Sequence, residues 1–317
     1  MISPSHGPDD SAFALQFAAV TDAAARVDGY APLNEQATLD VAAGRRTPLL
    51  LRDGDASRGA VVGALVLGAG ELDLVVHPEF RGHGHATAAL AELFGDGASD
   101  TRAYAADVPD GLTAWAHGDH PAARALAARF GFDAVRRLLQ LELPLDAPAP
   151  PAGAPPASAG AHEASPGNAE NAIVIDAFDP ATDAKAWVAL NARIFAAHPE
   201  QGGITAADLA DRMDEDWFDA GDFLVARHGA ALVGYNWLKI EPAATDGEIY
   251  VVGVSPGWSG HGLGRRLMTA GLERLRQRGV THATLYVEAD NEPAVRLYRS
   301  IGFTDRTVDV QYRRRTR

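Results

Sequence analysis

The feature that most constrains this chain is a pattern that occurs in it twice. Glu248–Val254 is rich in β-branched residues, stops at Pro256-Gly257, and runs through Gly260-His261-Gly262-Leu263-Gly264 into a segment where Leu263, Leu267, Met268 and Leu272 recur at helical spacing. Leu72–Val76 stops at His77-Pro78 and runs through Arg81-Gly82-His83-Gly84-His85-Ala86 into an Ala/Leu-rich helix, Thr87–Phe94. Each copy predicts a buried strand, a tight turn and a helix. The turn glycines permit conformations that side chains forbid, so backbone N–H groups can converge. The helix N-terminus behind them favours negative charge. Each copy therefore reads as a phosphate cradle.

The flanking elements repeat as well. Phe13–Val27 has helical spacing, Asn34 is placed to cap a helix starting near Glu35, and Leu49–Leu51 and Val61–Leu67 form a hairpin around Asp53–Gly59. After the first cradle come strands at 102–107 and 135–143, with a helix over Pro121–Phe130 between them. In the second copy, strand Ile173–Ile175 precedes helices over Ala184–Phe195 and Asp208–Met213, joined by the loop His198–Gly203. Phe223–Arg227 and Ala231–Leu238 form a hairpin; Thr284–Val287, Glu292–Ser300 and Thr307–Tyr312 close the copy as strand, helix, strand. Pro78 matches Pro256, Gly84 matches Gly262, and Gly131-Phe132 matches Gly302-Phe303. Two copies of about 150 residues mean tandem domains rather than a solenoid. Asp146–Asn171, rich in Pro, Ala, Gly and Ser, lacks the apolar surface to offset its ordering entropy and reads as a flexible linker. Residues 1–10 read as a loose tail.

Composition narrows the function. A length of 317 residues suits two domains, and 47% hydrophobic residues can fill two cores. A formal charge of −14 argues against nucleic acid or anionic membrane as the main partner. The absence of cysteine excludes disulfides, thiolate metal sites and a cysteine nucleophile. No long apolar run or signal-like N-terminus is present, so the expectation is a cytoplasmic protein. His77, His83 and His85 invite a metal reading, but their alternation in a glycine turn argues against it, and no metal is expected.

The cradles fail two common nucleotide motifs. Arg265 and Thr87 stand where a dinucleotide fingerprint needs its third glycine, and no Lys-Ser/Thr pair follows for a P-loop. The turns instead resemble the acetyl-CoA motif of the GCN5-related N-acetyltransferase family, Arg/Gln-x-x-Gly-x-Gly/Ala. The first copy matches every position; the second has Ser259 at the first. Asn291-Glu292-Pro293-Ala294-Val295-Arg296-Leu297-Tyr298 followed by Gly302-Phe303 is similar to the family's late helix, and the element order agrees. The resemblance implies an α/β fold with a mixed sheet, in two tandem acetyltransferase domains. These are 11–145, CoA-binding but non-catalytic, and 172–317, catalytic, joined by linker 146–171.

The resemblance also implies acetyl-CoA as co-substrate. In the first domain it would be held by Leu74, Val75, Val76, Gly82, His83, Gly84, His85, Ala86 and Thr87. In the second it would be held by Val252, Gly253, Val254, Ser259, Gly260, His261, Gly262, Leu263, Gly264 and Arg265. Asn291, Glu292, Pro293, Ala294, Val295 and Arg296 would contribute from the late helix. More narrowly, the chain resembles a tandem branch of the family that acetylates the cysteinyl amine of cysteinyl-glucosaminyl-inositol. The residues that carry this likeness are His198–Gly203, Trp217-Phe218, Glu248–Val254 and Leu285–Asn291. The implied partner is thus a small pseudodisaccharide amine, taken by a monomer without nucleic acid or membrane. A protein N-terminus or an aminoglycoside amine is the alternative acceptor, and a non-catalytic acetyl-CoA-binding regulator the alternative class.

Acetyl transfer to an amine with a pKa near ~8 needs a modest base and a proton for the departing thiolate. Glu248, at the start of the cofactor strand, fits the base; alternation puts it on the face of Tyr250 and Val252 unless a bulge intervenes. A solvated strand-end carboxylate is the plain alternative. Tyr298 shares a helix face with Ala294, Leu297 and Ile301, as a core aromatic would, while the family pattern makes it the acid. The first copy has Leu126 or Ala127 there, and neither can supply a proton. The resemblance suggests acceptor contacts from Glu35, Glu200, Lys239, Glu248 and Tyr286. Lys239 is one of only two lysines, with Lys185.

Overall fold

The computed structural model describes residues 2–4, 11–54, 59–94, 111–145, 172–196 and 201–316. The strand expected at 102–107, the linker 146–171 and Glu200 lie outside the described residues, as does the side chain of Glu35.

Local sequence sets most element boundaries. Helix α1 (Ser11–Asp28) buries Phe13, Val20 and Ala24 along one stripe. Asn34 caps α2 (Glu35–Ala42), its side chain accepting from the Ala37 amide at 2.7 Å. Strands β2 (Thr47–Arg52), β3 (Val61–Gly68) and β4 (Glu71–Val76) lead into α3 (His85–Phe94). Strand β5 (Thr113–Ala116), too short and alanine-rich to show a strand pattern, precedes α4 (Pro121–Phe130), and β6 spans Phe132–Pro144. Strand β7 (Ile173–Ala177) is followed by α5 (Pro180–Ile194) and α6 (Ala206–Met213), then by β8 (Phe223–His228), β9 (Ala231–Lys239) and β10 (Asp246–Val254). Helix α7 (Leu263–Gln277), β11 (His282–Glu288), α8 (Glu292–Ile301) and β12 (Thr304–Arg314) complete the chain. Thr205 and Asp208 form a reciprocal capping box on α6. Helices α4 and α8 each have ten residues and end on a left-handed glycine, Gly131 at φ 76° and Gly302 at φ 115°.

Tertiary contacts divide the chain into two units that do not follow chain order. The first comprises Met1–Leu139, Glu288–Asp290 and Thr307–Arg317; the second comprises Gln140–Val287 and Asn291–Arg306. The sequential division 11–145 and 172–317 therefore differs from the contact division at its ends. The reason is strand pairing. In the first unit β12 lies antiparallel to β5, with Val310 opposite Ala116 and Tyr312 opposite Ala114, so the last residues of the chain complete the sheet of its first half. The expectation of a loose tail over residues 1–10 is corrected in part. Ile2–Pro4 form strand β1 (Ile2–Pro4), which pairs with Leu49–Leu51 and buries Ile2.

Each unit is a sheet packed on both faces. In the first, Leu50, Ala64 and Val75 meet α1, while Leu49, Leu51, Leu65 and Leu72 meet Leu90 and Leu93 of α3. In the second, Val225, Tyr235, Trp237 and Val251 pack with Trp187 of α5 and Leu209 of α6; Val233, Val252 and Val254 pack with Leu263 and Leu267 of α7. Trp237 stacks on Phe223 at 4.4 Å between centroids, and Trp187 meets Trp237 edge-on at 5.6 Å. Burial and ring geometry of these large groups anchor that face.

Candidate active site

The second unit brings the cradle and three acceptor candidates onto neighbouring strands. Parallel pairing of β10 with β11 starts at Asp246 opposite His282, and its last pair is Glu248 with Thr284. Beyond it the two strands part, so among the described residues Val252–Val254 have no ladder partner on that edge. They end at the glycine turn. Gly260 and Gly262 hold φ of 78° and 79°, and a Cβ on either would meet nothing within 4 Å. Positive φ is why these positions are glycine, and the open space in front of them suits a ligand. Gly262 is the N-cap of α7 and offers no side-chain acceptor to the first-turn N–H groups. A phosphate group would supply the missing acceptors, so the residues fit CoA.

The other residues expected at the cofactor make local contacts. His261 Nδ1 lies 2.8 Å from the Ser259 carbonyl, and the Arg265 guanidinium donates to Ser300 Oγ of α8 at 2.5 Å. A Cβ on Gly264 would lie 3.4 Å from Leu297, ordinary contact between α7 and α8. Asn291 caps α8 by accepting from the Ala294 amide at 3.3 Å. Glu292 pairs with Arg296 at 2.8 Å, and Pro293 sits at the helix start, leaving Val295 half-buried.

A bulge decides what Glu248 faces. Across the antiparallel β9–β10 ladder Glu248 pairs with Lys239 and Ile249 with Leu238; Tyr250 is then skipped, and Val251 pairs with Trp237. The extra residue reverses the alternation. Glu248 therefore shares a face with Val251, and Val252 lies on the α7 side. The expectation that Glu248 and Val252 share a face is corrected by this bulge. Tyr250 stays with Glu248, its ring 5.3 Å from Trp217 and 5.5 Å from Trp237. Side chains paired in register point to the same face, so Lys239, Glu248 and Thr284 lie together, with Tyr286 two residues farther along β11.

Lys239 is held tightly. Its side chain is 11% exposed; Nζ lies 3.0 Å from Glu241, 5.1 Å from the Trp217 ring and 5.9 Å from the Tyr250 ring. Tyr286 is 45% exposed, unusual for an aromatic on a strand between buried neighbours. Tyr298, on α8, is 7% exposed with its ring edge-on to Phe303 at 6.0 Å. Burial pushes its phenol up to about 12, so the group stays protonated at neutral pH. The loop carrying Gln201 is tied to α5. Asn191, fully buried, donates to the Gln201 carbonyl at 2.6 Å and accepts from the Tyr235 hydroxyl at 2.6 Å.

The first unit repeats the cradle with a different neighbourhood. Gly82 and Gly84 hold φ of 81° and 84°, again with open space at the Cβ position. The rings of His83, on the turn, and His85, which opens α3, lie 6.2 Å apart, and Ala86 and Thr87 follow in the first helical turn. Leu74 packs on the α3 side, Val75 packs under α1, and Val76 ends the strand. Arg81, the side chain that Ser259 replaces, forks onto Asp28 at 2.7 and 2.8 Å and donates to the Val76 carbonyl at 3.1 Å. It clamps the turn to α1. Parallel pairing here ends with Glu71 opposite Thr113 and Leu72 opposite Ala114.

Register also reveals a residue that sequence comparison missed. Val76 pairs with Gly63 as Val254 pairs with Gly234. Counting back with the Tyr250 bulge allowed for, Glu71 falls at the place of Glu248, and Thr113 falls at that of Thr284. Ungapped counting from the prolines lands on Gly70 instead. Glu71, however, meets the wholly buried Arg46 at 3.3 Å, and Arg46 also pairs with Asp73 at 2.5 Å. The counterpart of Tyr298 is settled by capping. The Gly302 amide donates to the Tyr298 carbonyl as the Gly131 amide donates to that of Ala127, so Ala127 is the equivalent residue.

Residues 189–303 match the Acetyltransferase (GNAT) family. Among solved structures, a GCN5-related N-acetyltransferase from Sphaerobacter thermophilus aligns over 99% of this chain and 95% of its own, with TM-score 0.65 and 22% identity. A tandem GNAT protein from the clavulanic acid biosynthesis pathway aligns over 99% and 97%, with TM-score 0.66 and 23% identity. Both share the fold. Curated relatives are nearer in sequence. The mycothiol acetyltransferase of Thermobispora bispora is 43% identical over 93% of this chain and 94% of its own. That of Sanguibacter keddieii is 44% identical over 92% and 90%. On likeness that extends through both copies, the chain belongs to the mycothiol acetyltransferase family, within the GNAT fold.

Proposed function

We propose that the protein transfers the acetyl group of acetyl-CoA to the cysteinyl amine of cysteinyl-glucosaminyl-inositol, giving mycothiol and CoA, and that the second unit performs the transfer. The observation that carries the assignment to this unit is the pairing of Glu248 with Lys239 where β10 and β11 part, together with a buried, protonated Tyr298. When bound, acetyl-CoA supplies an activated thioester. Val252–Val254 and the turn Gly260–Gly264 would hold its pantetheine and phosphate portions. Glu248, through a water, takes the proton released as the amine nitrogen bonds to the acetyl carbon. Tyr298 gives its hydroxyl proton to sulfur as the carbon–sulfur bond breaks. A phenol raised by burial can do this because the same surroundings also make a thiolate more basic. Lys239 and Tyr286 position the acceptor.

In the first unit, Ala127 cannot donate a proton and Glu71 is engaged by Arg46, which supports a unit that holds acetyl-CoA without turnover. The reading is completed by a monomeric, cytoplasmic enzyme with a small-molecule acceptor; no helix among the described residues is long and apolar enough to cross a membrane. The test is to mix the purified protein with acetyl-CoA and cysteinyl-glucosaminyl-inositol and follow CoA release. Turnover of a peptide or aminoglycoside amine without turnover of this acceptor would overturn the assignment.

A further inference from the structure

We propose that Tyr250 is a specificity residue, which presents its O–H to the carbonyl oxygen beside the acceptor amine and so selects α-aminoacyl amines. This inference rests on the reading of the second unit given above. Three observations carry it. The bulge places Tyr250 on the face of Glu248, next to the proposed base. Tyr250 is only half-buried, whereas Trp217 and Trp237 against it are buried. Its hydroxyl oxygen already accepts from Arg212 Nε at 3.1 Å.

The last contact fixes what the hydroxyl can still do. A guanidinium has only donors, so Tyr250 is the acceptor in that bond and its own hydrogen must go elsewhere. Among the described residues, none accepts it. Arg212 is itself fixed, donating through Nη1 to the Asp208 carbonyl at 3.0 Å on a helix closed by the Thr205–Asp208 box. A preset donor beside the base suits an oxygen close to the reacting nitrogen. In an α-aminoacyl amide the carbonyl carbon is attached to the carbon that bears the amine, which meets that requirement. A simple alkylamine offers no such oxygen. Tyr250 then recognises substrate, and Arg212 positions Tyr250.

The experiment compares cysteinyl-glucosaminyl-inositol with the analogue whose cysteinyl carbonyl is a methylene, in wild type, Tyr250→Phe and Arg212→Met. With the natural acceptor, Tyr250→Phe should lose about tenfold in kcat/KM, mainly through KM, the scale of one buried hydrogen bond. The KM for acetyl-CoA should not change. Wild type should lose a similar factor on the methylene analogue, and Tyr250→Phe should lose nothing further there. Arg212→Met should follow Tyr250→Phe, and Arg212→Lys, which keeps a donor, should recover part of the loss. Equal losses on both acceptors, or no loss on the natural one, would overturn the inference while leaving the proposed activity intact. Absence of CoA release by wild type with either acceptor would overturn the proposed activity, and this inference with it.

Discussion

Glu248 stands directly opposite Lys239 across the antiparallel β9–β10 ladder, at the last point where β10 still pairs with β11. A carboxylate and an ammonium thus share one face at the mouth of the gap between the strands. Lys239 is kept there by Glu241 and by the rings of Trp217 and Tyr250. We expect Glu248→Gln to lower kcat on the order of 10²-fold at neutral pH, the scale of lost base catalysis. Lys239→Met should act mainly on the acceptor's KM. Initial rates over both substrates separate the two; an acetyl-CoA KM that rises with either variant would contradict these roles.

Tyr298→Phe should reduce kcat by about 10²-fold while leaving both KM values near wild type, because the ring and its contact with Phe303 remain and only the proton is lost. Thiol release under saturating substrates measures this. An unchanged kcat would return Tyr298 to a packing role.

Alkaline stability should depend on the same residue. Burial raises the folded pKa of Tyr298 from its ordinary 10 to about 12, so folding favours the neutral phenol. Its contribution is complete below about pH 10 and is lost as pH rises toward 12, at about 1.4 kcal/mol per pH unit, or roughly 2–3 kcal/mol in all. Tyr235 is also raised by burial and adds to the same arm. Denaturant midpoints should therefore fall over that range in wild type and fall less in Tyr298→Phe.

Gly262→Val tests the cradle. At φ 79° a β-branched residue is strained by about 1–2 kcal/mol although nothing lies within reach of its Cβ. The loop should shift, and acetyl-CoA affinity of the second unit should weaken at least about tenfold, as titration calorimetry would show. Unaltered affinity would mean that the turn does not contact the phosphates.

Asp309→Ala tests the contribution of the C-terminal strand to the first unit. Asp309 lies 2.9 Å from His117 Nδ1 and accepts from the Gly118 amide at 3.1 Å. Its removal leaves both without that partner in a half-buried setting and should cost about 1–3 kcal/mol. Hydrogen exchange should quicken first in Thr113–Ala116, which pairs with β12, rather than in β10. Faster exchange confined to β10 would contradict the assignment of this strand.

Much of the local structure around the candidate site was readable because local chemistry wrote it. Gly260, Gly262 and Gly264 after a β-branched run, Asn291 before Pro293, and Gly302 after Tyr298 mark a turn, a helix start and a helix stop by conformational preference alone. Strand β5 escaped because Thr-Ala-Trp-Ala carries no strand pattern. Glu71 escaped because a one-residue bulge in the other copy displaced the count. Neither Tyr250 nor Arg212 stood out, since a tyrosine in a strand and an arginine in a short helix are unremarkable until they meet.

The sequence by itself determined the duplication, the two glycine turns, most of the order of elements and the absence of a tyrosine at both Leu126 and Ala127 in the first copy. These follow from residue spacing and from what glycine, proline and β-branched side chains permit locally. Only the tertiary structure decided which face Glu248 shares, which carboxylate matches it in the first copy, and which unit receives the final strand. Those outcomes depend on register between strands far apart in the chain. One inserted residue there reverses every side chain beyond it.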